Sequence, residues 1–131
     1  SSPLVQALII GTAEHGRVYY LCRGQLLNRM YIGKTWSGSH QCTITYQGKE
    51  RRLNRFTIPN QEEFGNYRWG RTLDKAIIVG INAEGRPLYL CQAKLNENLL
   101  PGVTWAGYNH CIISYNGLEV LTDIFSILSE K

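Results

Sequence analysis

The residues best suited to chemistry in this chain come in pairs. Glu50 and Glu119 each follow a turn, after Gln47-Gly48 and Asn116-Gly117. A carboxylate in that place can work as an acid or base. More often it accepts backbone N–H bonds and fixes the turn. Trp36 and Trp105 stand in matching G-x-x-W contexts. An exposed indole face suits the apolar face of a sugar, whereas a core indole needs one partner for its N–H. No Ser sits in a nucleophile elbow and no Gly-rich loop leads into a helix. Enzyme activity is therefore not expected. The residual enzymatic alternative is a small hydrolase using Glu50 or Glu119, and it requires one of them in a pocket with a perturbed pKa.

The cysteines are paired too: Cys22 with Cys91, and Cys42 with Cys111. None forms a C-x-x-C unit. All four lie in apolar stretches, which favours buried free thiols acting as small core residues. A symmetric disulfide within each copy is the alternative, suited to a secreted chain. His40 and His110 flank Cys42 and Cys111, but they fall out of register with each other, so a zinc site is not expected. His15 belongs to a turn. No metal or cofactor is expected.

These pairs follow from an internal repeat. At a constant offset of 69 residues, 20 of the 52 pairs from Ala7 to Ile58 are identical, far more than chance supplies. The expected organisation is one domain: repeat one over about 4–59, a connecting segment over 60–74, and repeat two over 75–131. The connecting segment is rich in turn residues, yet it holds Phe64, Tyr67 and Trp69. It is expected to be loop-like and packed on the core.

Each copy reads as strands. LVQALIIGT and RVYYLCR flank a turn closed by Gly16. QCTITYQ and HCIISYN alternate, placing Cys42, Ile44 and Tyr46, and likewise Cys111, Ile113 and Tyr115, on one face. Asn116-Gly117 is a strong hairpin signal. GQLLNRMY and AKLNENLL are short and uncapped, and are read as loops. The fold class is all-β, with two pseudo-symmetric antiparallel repeats.

Composition adds bounds. The net charge is +4, a weak bias toward acidic partners. Its densest basic stretch, Lys49, Arg51, Arg52 and Arg55, reads as a solvated strand face. No recognition helix or RNA-binding aromatic motif points to nucleic acid. No apolar run is long enough for a membrane-spanning helix. The chain opens at Ser1 with no leader pattern, the reading of a processed protein or of a piece of something longer. The compartment, cytoplasmic or secreted, stays open.

The duplicated motif resembles the DM-nine repeat family, which includes mannose-type lectins of molluscs. It stands as IIGTAEHGRVYYLCR, LLNRMYIGK, CTITYQGKE and RFTI in the first copy. The second reads IIVGINAEGRPLYLC, ENLLPGV, CIISYNGLE and IFSIL. The Glu-to-Phe spacings agree, Glu50 to Phe56 and Glu119 to Phe125, and Trp69 resembles the Trp that precedes a repeat. The resemblance implies a compact all-β fold whose repeats exchange strands and share a core. It also implies non-enzymatic binding of glycans, often mannose, in recognition or defence. The family's sugar contacts are an Asp two residues after the first Gly and the Lys of Pro-Gly-Lys.

This chain departs at those points. Ala13 and Asn82 stand at the Asp position, and Lys34 and Val103 at the Lys position. One expectation is a site of altered specificity built from Lys34 and Asn82, assisted by Glu14, Glu84, Trp36 or Trp105. It includes a hybrid site if strand exchange joins Lys34 to Asn82. The other is an interaction or oligomerisation domain without sugar affinity, a homodimer for instance, using exposed Phe64, Tyr67 and Trp69. A similar module precedes the pore-forming region of natterin-type toxins.

Overall fold

The computed structural model describes residues 3–131. The first copy contributes β1 (Ile9–Thr12), β2 (Val18–Leu26), β3 (Arg29–Thr35), β4 (Cys42–Tyr46), β5 (Lys49–Leu53) and β6 (Phe56–Thr57). A 3-10 turn at Gln61–Phe64 and β7 (Tyr67–Gly70) follow. The second copy contributes β8 (Ile78–Ile81), β9 (Pro87–Leu95), β10 (Asn98–Thr104), β11 (Cys111–Tyr115), β12 (Leu118–Thr122) and β13 (Ser126–Glu130). All pairings between strands are antiparallel. The all-β expectation holds.

The sheet order runs β1-β2-β3-β4-β5-β12-β11-β10, and β10 pairs back onto β1. The ring is an antiparallel barrel, with β6, β7, β8, β9 and β13 as additional strands. Two seams join the copies: Thr12 against Leu99, and Lys49 against Leu118. At the first seam, a Cβ on Gly11 would lie 2.3 Å from the Leu99 carbonyl oxygen, so only glycine permits the approach. At the second, the two copies' turns exchange backbone bonds reciprocally. Glu50 N–H donates to the Gly117 carbonyl and Glu119 N–H to the Gly48 carbonyl, each at 3.0 Å. One buried cluster draws Leu8, Ile10, Leu21 and Ile32 from the first copy and Leu90, Leu100, Ile113 and Leu128 from the second. A smaller one holds Cys22, Cys42, Ile44 and Leu53.

Three local expectations are corrected. GQLLNRMY and AKLNENLL are hairpin tips, pairing Leu26 with Arg29 and Leu95 with Asn98. The first turn puts Leu27 and Asn28 at φ 52° and 63°, a two-residue turn whose twist suits the strands. Long partner strands, of nine and seven residues in each copy, impose that conformation where local propensity does not. The connecting segment is likewise no simple loop. β7 pairs with β13, and Phe64 is buried. The opening apolar stretch is only partly strand, since Pro3–Gln6 form a 3-10 turn.

The cysteines are not free thiols. Cys22 bonds to Cys42 and Cys91 to Cys111, with Cα atoms 6.0 Å apart in both. Cys22 pairs with Gly33 on β3, and β4 lies on the other side of β3. The strands therefore fold over at Gly33 to bring Cys42 to Cys22. A Cβ at Gly33 would come 2.4 Å from the Thr43 carbonyl oxygen and 2.8 Å from Cys42 Sγ. At Gly102 the corresponding distances are 2.3 Å to Ile112 O and 2.7 Å to Cys111 Sγ. Because backbone must move to relieve either clash, Gly33→Ala or Gly102→Ala is expected to cost about 3 kcal/mol. A drop in the urea midpoint at unchanged slope checks this.

Candidate functional site

Lys34 follows Gly33 on β3, and the fold-over turns it inward, leaving it 6% exposed. Its Nζ donates to the Ser114 carbonyl of β11 at 2.5 Å. It lies 3.8 Å from Glu50 Oε1 and 5.1 Å from the centre of the Tyr19 ring. Burial holds its pKa below the usual 10.5, and the nearby Glu50 carboxylate opposes that shift. Glu50 also accepts from Gly117 N–H at 3.1 Å through Oε2. The cation surviving in copy one is thus committed to a contact between the copies. A cavity of only about 20 Å³ lies beside it, walled by Ile10, Leu90 and Ser114 among others. Thr43 Oγ1, in the same wall, is buried without a hydrogen-bond partner among the described residues.

Asn82 serves its own turn. Its Oδ1 accepts from Glu84 N–H at 3.1 Å and Arg86 N–H at 2.8 Å, the local bonding that makes Asn a turn residue. Ala13 cannot do this in copy one. Instead Asn98 of copy two accepts from Glu14 N–H at 3.0 Å. The Glu14 and Glu84 side chains are exposed, Glu14 beside His15 at 3.4 Å.

The two indoles are half-buried, each beneath an arginine from earlier in its own copy, and they differ in their aromatic neighbours. The Arg17 guanidinium sits 4.5 Å above Trp36, with the Tyr19 edge at 5.8 Å. Trp105 stacks on Tyr108 at 4.1 Å between ring centres, and the Arg86 guanidinium lies 5.7 Å from its ring centre.

Lys34 and Asn82 line different cavities, so they form no shared wall. Asn82 and Trp105 do come together. With Glu119, Val103, Thr45, Leu88 and Tyr31 they line a cavity of about 170 Å³. A second lobe of about 340 Å³ shares Tyr31, Asn82 and Leu88 with it and adds Glu84 and Arg29. The walls mix residues of both copies. Among the described residues, the Glu119 side chain has no hydrogen bond or ion pair, unlike its twin Glu50. Sequence reasoning assigned Glu119 first to its turn, with a pocket carboxylate of a small hydrolase as the alternative, and did not consider Tyr31 or Thr45. The signal available was the repeat itself, since Val103 at the Lys34 position removes the natural partner of Glu119.

Among the described residues no group of three or more His, Cys, Asp or Glu is placed to hold a metal ion. None of their helices is long and apolar enough to cross a membrane. Compared with known families, residues 13–122 match the DM9 repeat. The chain belongs to the DM9 repeat family. No curated protein matches this DM9 chain. Among solved structures it is similar to the nematode sperm cell motility protein MFP2B, with a TM-score of 0.65 at 13% identity. That alignment covers 94% of the DM9 chain but 39% of the nematode protein, and at such identity the likeness concerns the fold.

Proposed function

We propose that this DM9 chain is a non-enzymatic carbohydrate-binding module whose working site is the cavity of the second copy. The observation that carries the reading is the meeting of Asn82, Glu119 and Trp105 in one half-buried hollow of about 170 Å³. A carboxylate and an amide there can exchange hydrogen bonds with sugar hydroxyls, while an aromatic wall packs on the apolar ring face. The volume, below the ~300–1,000 Å³ of drug-sized pockets, suits a single ring or a terminal residue. The Lys34 position of copy one offers less, because its ammonium is engaged with Ser114 and Glu50 and the cavity beside it is only about 20 Å³.

A glycan array tests this. Binding to one class of terminal sugar is expected, falling about tenfold or more in Trp105→Ala, given the ~1–3 kcal/mol that burying such a ring contributes. A flat array at high protein concentration sinks the reading.

The interaction-domain alternative loses part of its basis, since Phe64 is 6% exposed and Tyr67 and Trp69 pack against the core. What favours it is Ile9 and Ile78, each 52% exposed at equivalent places in the two copies. Sedimentation distinguishes the two: a concentration-independent monomer argues against self-association through these residues.

A further inference from the structure

The two copies hold the same socket, filled in one and vacated in the other. In copy one the Lys34 ammonium is gripped by the Ser114 carbonyl, the Glu50 carboxylate and the face of Tyr19. Applying the 69-residue offset, the equivalents of Lys34, Ser114, Glu50 and Tyr19 are Val103, Thr45, Glu119 and Leu88. All four line the cavity of about 170 Å³. Valine removes the stem and the cation, and Glu119 keeps its carboxylate with no partner among the described residues. Leucine at the Tyr19 position gives up the cation–π face, while Tyr31 and Trp105 supply aromatic surface elsewhere in the wall.

We infer that the second-copy cavity takes a ligand bearing a primary ammonium, an amino sugar with a free amine, whose ammonium occupies the place that Lys34 Nζ fills in the first copy. This rests on the carbohydrate reading for the ring and adds the charge. The ammonium donates to the Glu119 carboxylate and to the Thr45 carbonyl, three N–H donors facing two acceptors. The ring lies against Trp105, with Asn82 within the same wall. A neutral sugar leaves the carboxylate without its cation, and an N-acetylated one replaces the ammonium by an uncharged amide. Lys34 acts, in this view, as a built-in copy of the ligand in the first socket.

Calorimetric titration of the full chain with glucosamine, N-acetylglucosamine, glucose, mannose and n-butylamine tests the inference. Glucosamine is expected to bind at one site per chain, about tenfold or more tighter than N-acetylglucosamine or glucose, the margin of a charge-assisted hydrogen bond. Glu119→Gln, which keeps the shape, is expected to erase that margin. Val103→Lys, which refills the socket, is expected to abolish binding. Melting curves of both variants confirm that they are folded. Glucose or mannose binding as tightly as glucosamine, unaffected by Glu119→Gln, overturns the ammonium inference and leaves the sugar reading standing. Butylamine binding with no added affinity from any sugar ring supports the ammonium socket and overturns the sugar reading. No binding by any probe overturns both.

Discussion

Removing the Cys22–Cys42 bridge with the double substitution Cys22→Ala and Cys42→Ala is expected to destabilise the chain by about 3 kcal/mol, the loop-closure contribution of a crosslink of this span. The bridge joins residues 20 apart in sequence. For a chain of this length that is a fall of roughly 10 °C in Tm. The damage should be local first. Of the four buried residues in the smaller cluster, two are these cysteines, and Phe56 and Ile58 pack against it. Hydrogen exchange should therefore accelerate at β6 and at its partner residues Arg23 and Gly24 before the barrel opens. The equivalent change at Cys91 and Cys111 removes a bridge set within a fourteen-residue core drawn from both copies. Its loss is expected to lower stability as a single cooperative step. Equal local exchange in both variants would contradict this division.

Glu50→Ala is expected to cost about 3 kcal/mol, because it strands a buried ammonium. Lys34 keeps only the Ser114 carbonyl and the Tyr19 face, and Gly117 N–H loses an acceptor. Glu119→Ala, at a half-buried carboxylate with no partner among the described residues, should cost less than about 1 kcal/mol. The pH dependence separates charge from packing. Burial lowers the pKa of folded Lys34 below its unfolded 10.5, so the unfolded chain binds more protons between those two values. Stability gained from this group therefore rises with pH across that window. Without Glu50 the folded value falls further and the window widens. The deficit of Glu50→Ala relative to the parent should shrink as pH rises toward 10.5, and the pH term should vanish in Lys34→Met. Urea midpoints measured along that range check both, and a pH-independent deficit would refute the charge account.

Much of the fold was legible because duplication marks whatever both copies need. Gly33 and Gly102, the paired cysteines, and Glu50 and Glu119 recur for reasons the structure supplies: a fold-over, a bridge and a meeting of turns. The pairing of the cysteines was not legible. Alternation shows which face a cysteine takes, but not that β4 folds across Gly33 to meet β2. The hairpin tip at Leu27 and Asn28 was hidden for a related reason, since left-handed backbone at a leucine is enforced by the strands on either side. For the candidate site, the sequence singled out Asn82 and Trp105, which do line one cavity, and Lys34, which does not join them.

By itself, then, the sequence determined the repeat, the all-β class and the positions at which the copies differ, because these depend on local pattern and on comparing the chain with itself. Only the tertiary structure decided what those differences do. Whether a lysine meets solvent or a carbonyl 80 residues away depends on which strands cross the seam between the copies. That crossing buries Lys34 in one socket and leaves Glu119 facing a cavity in the other.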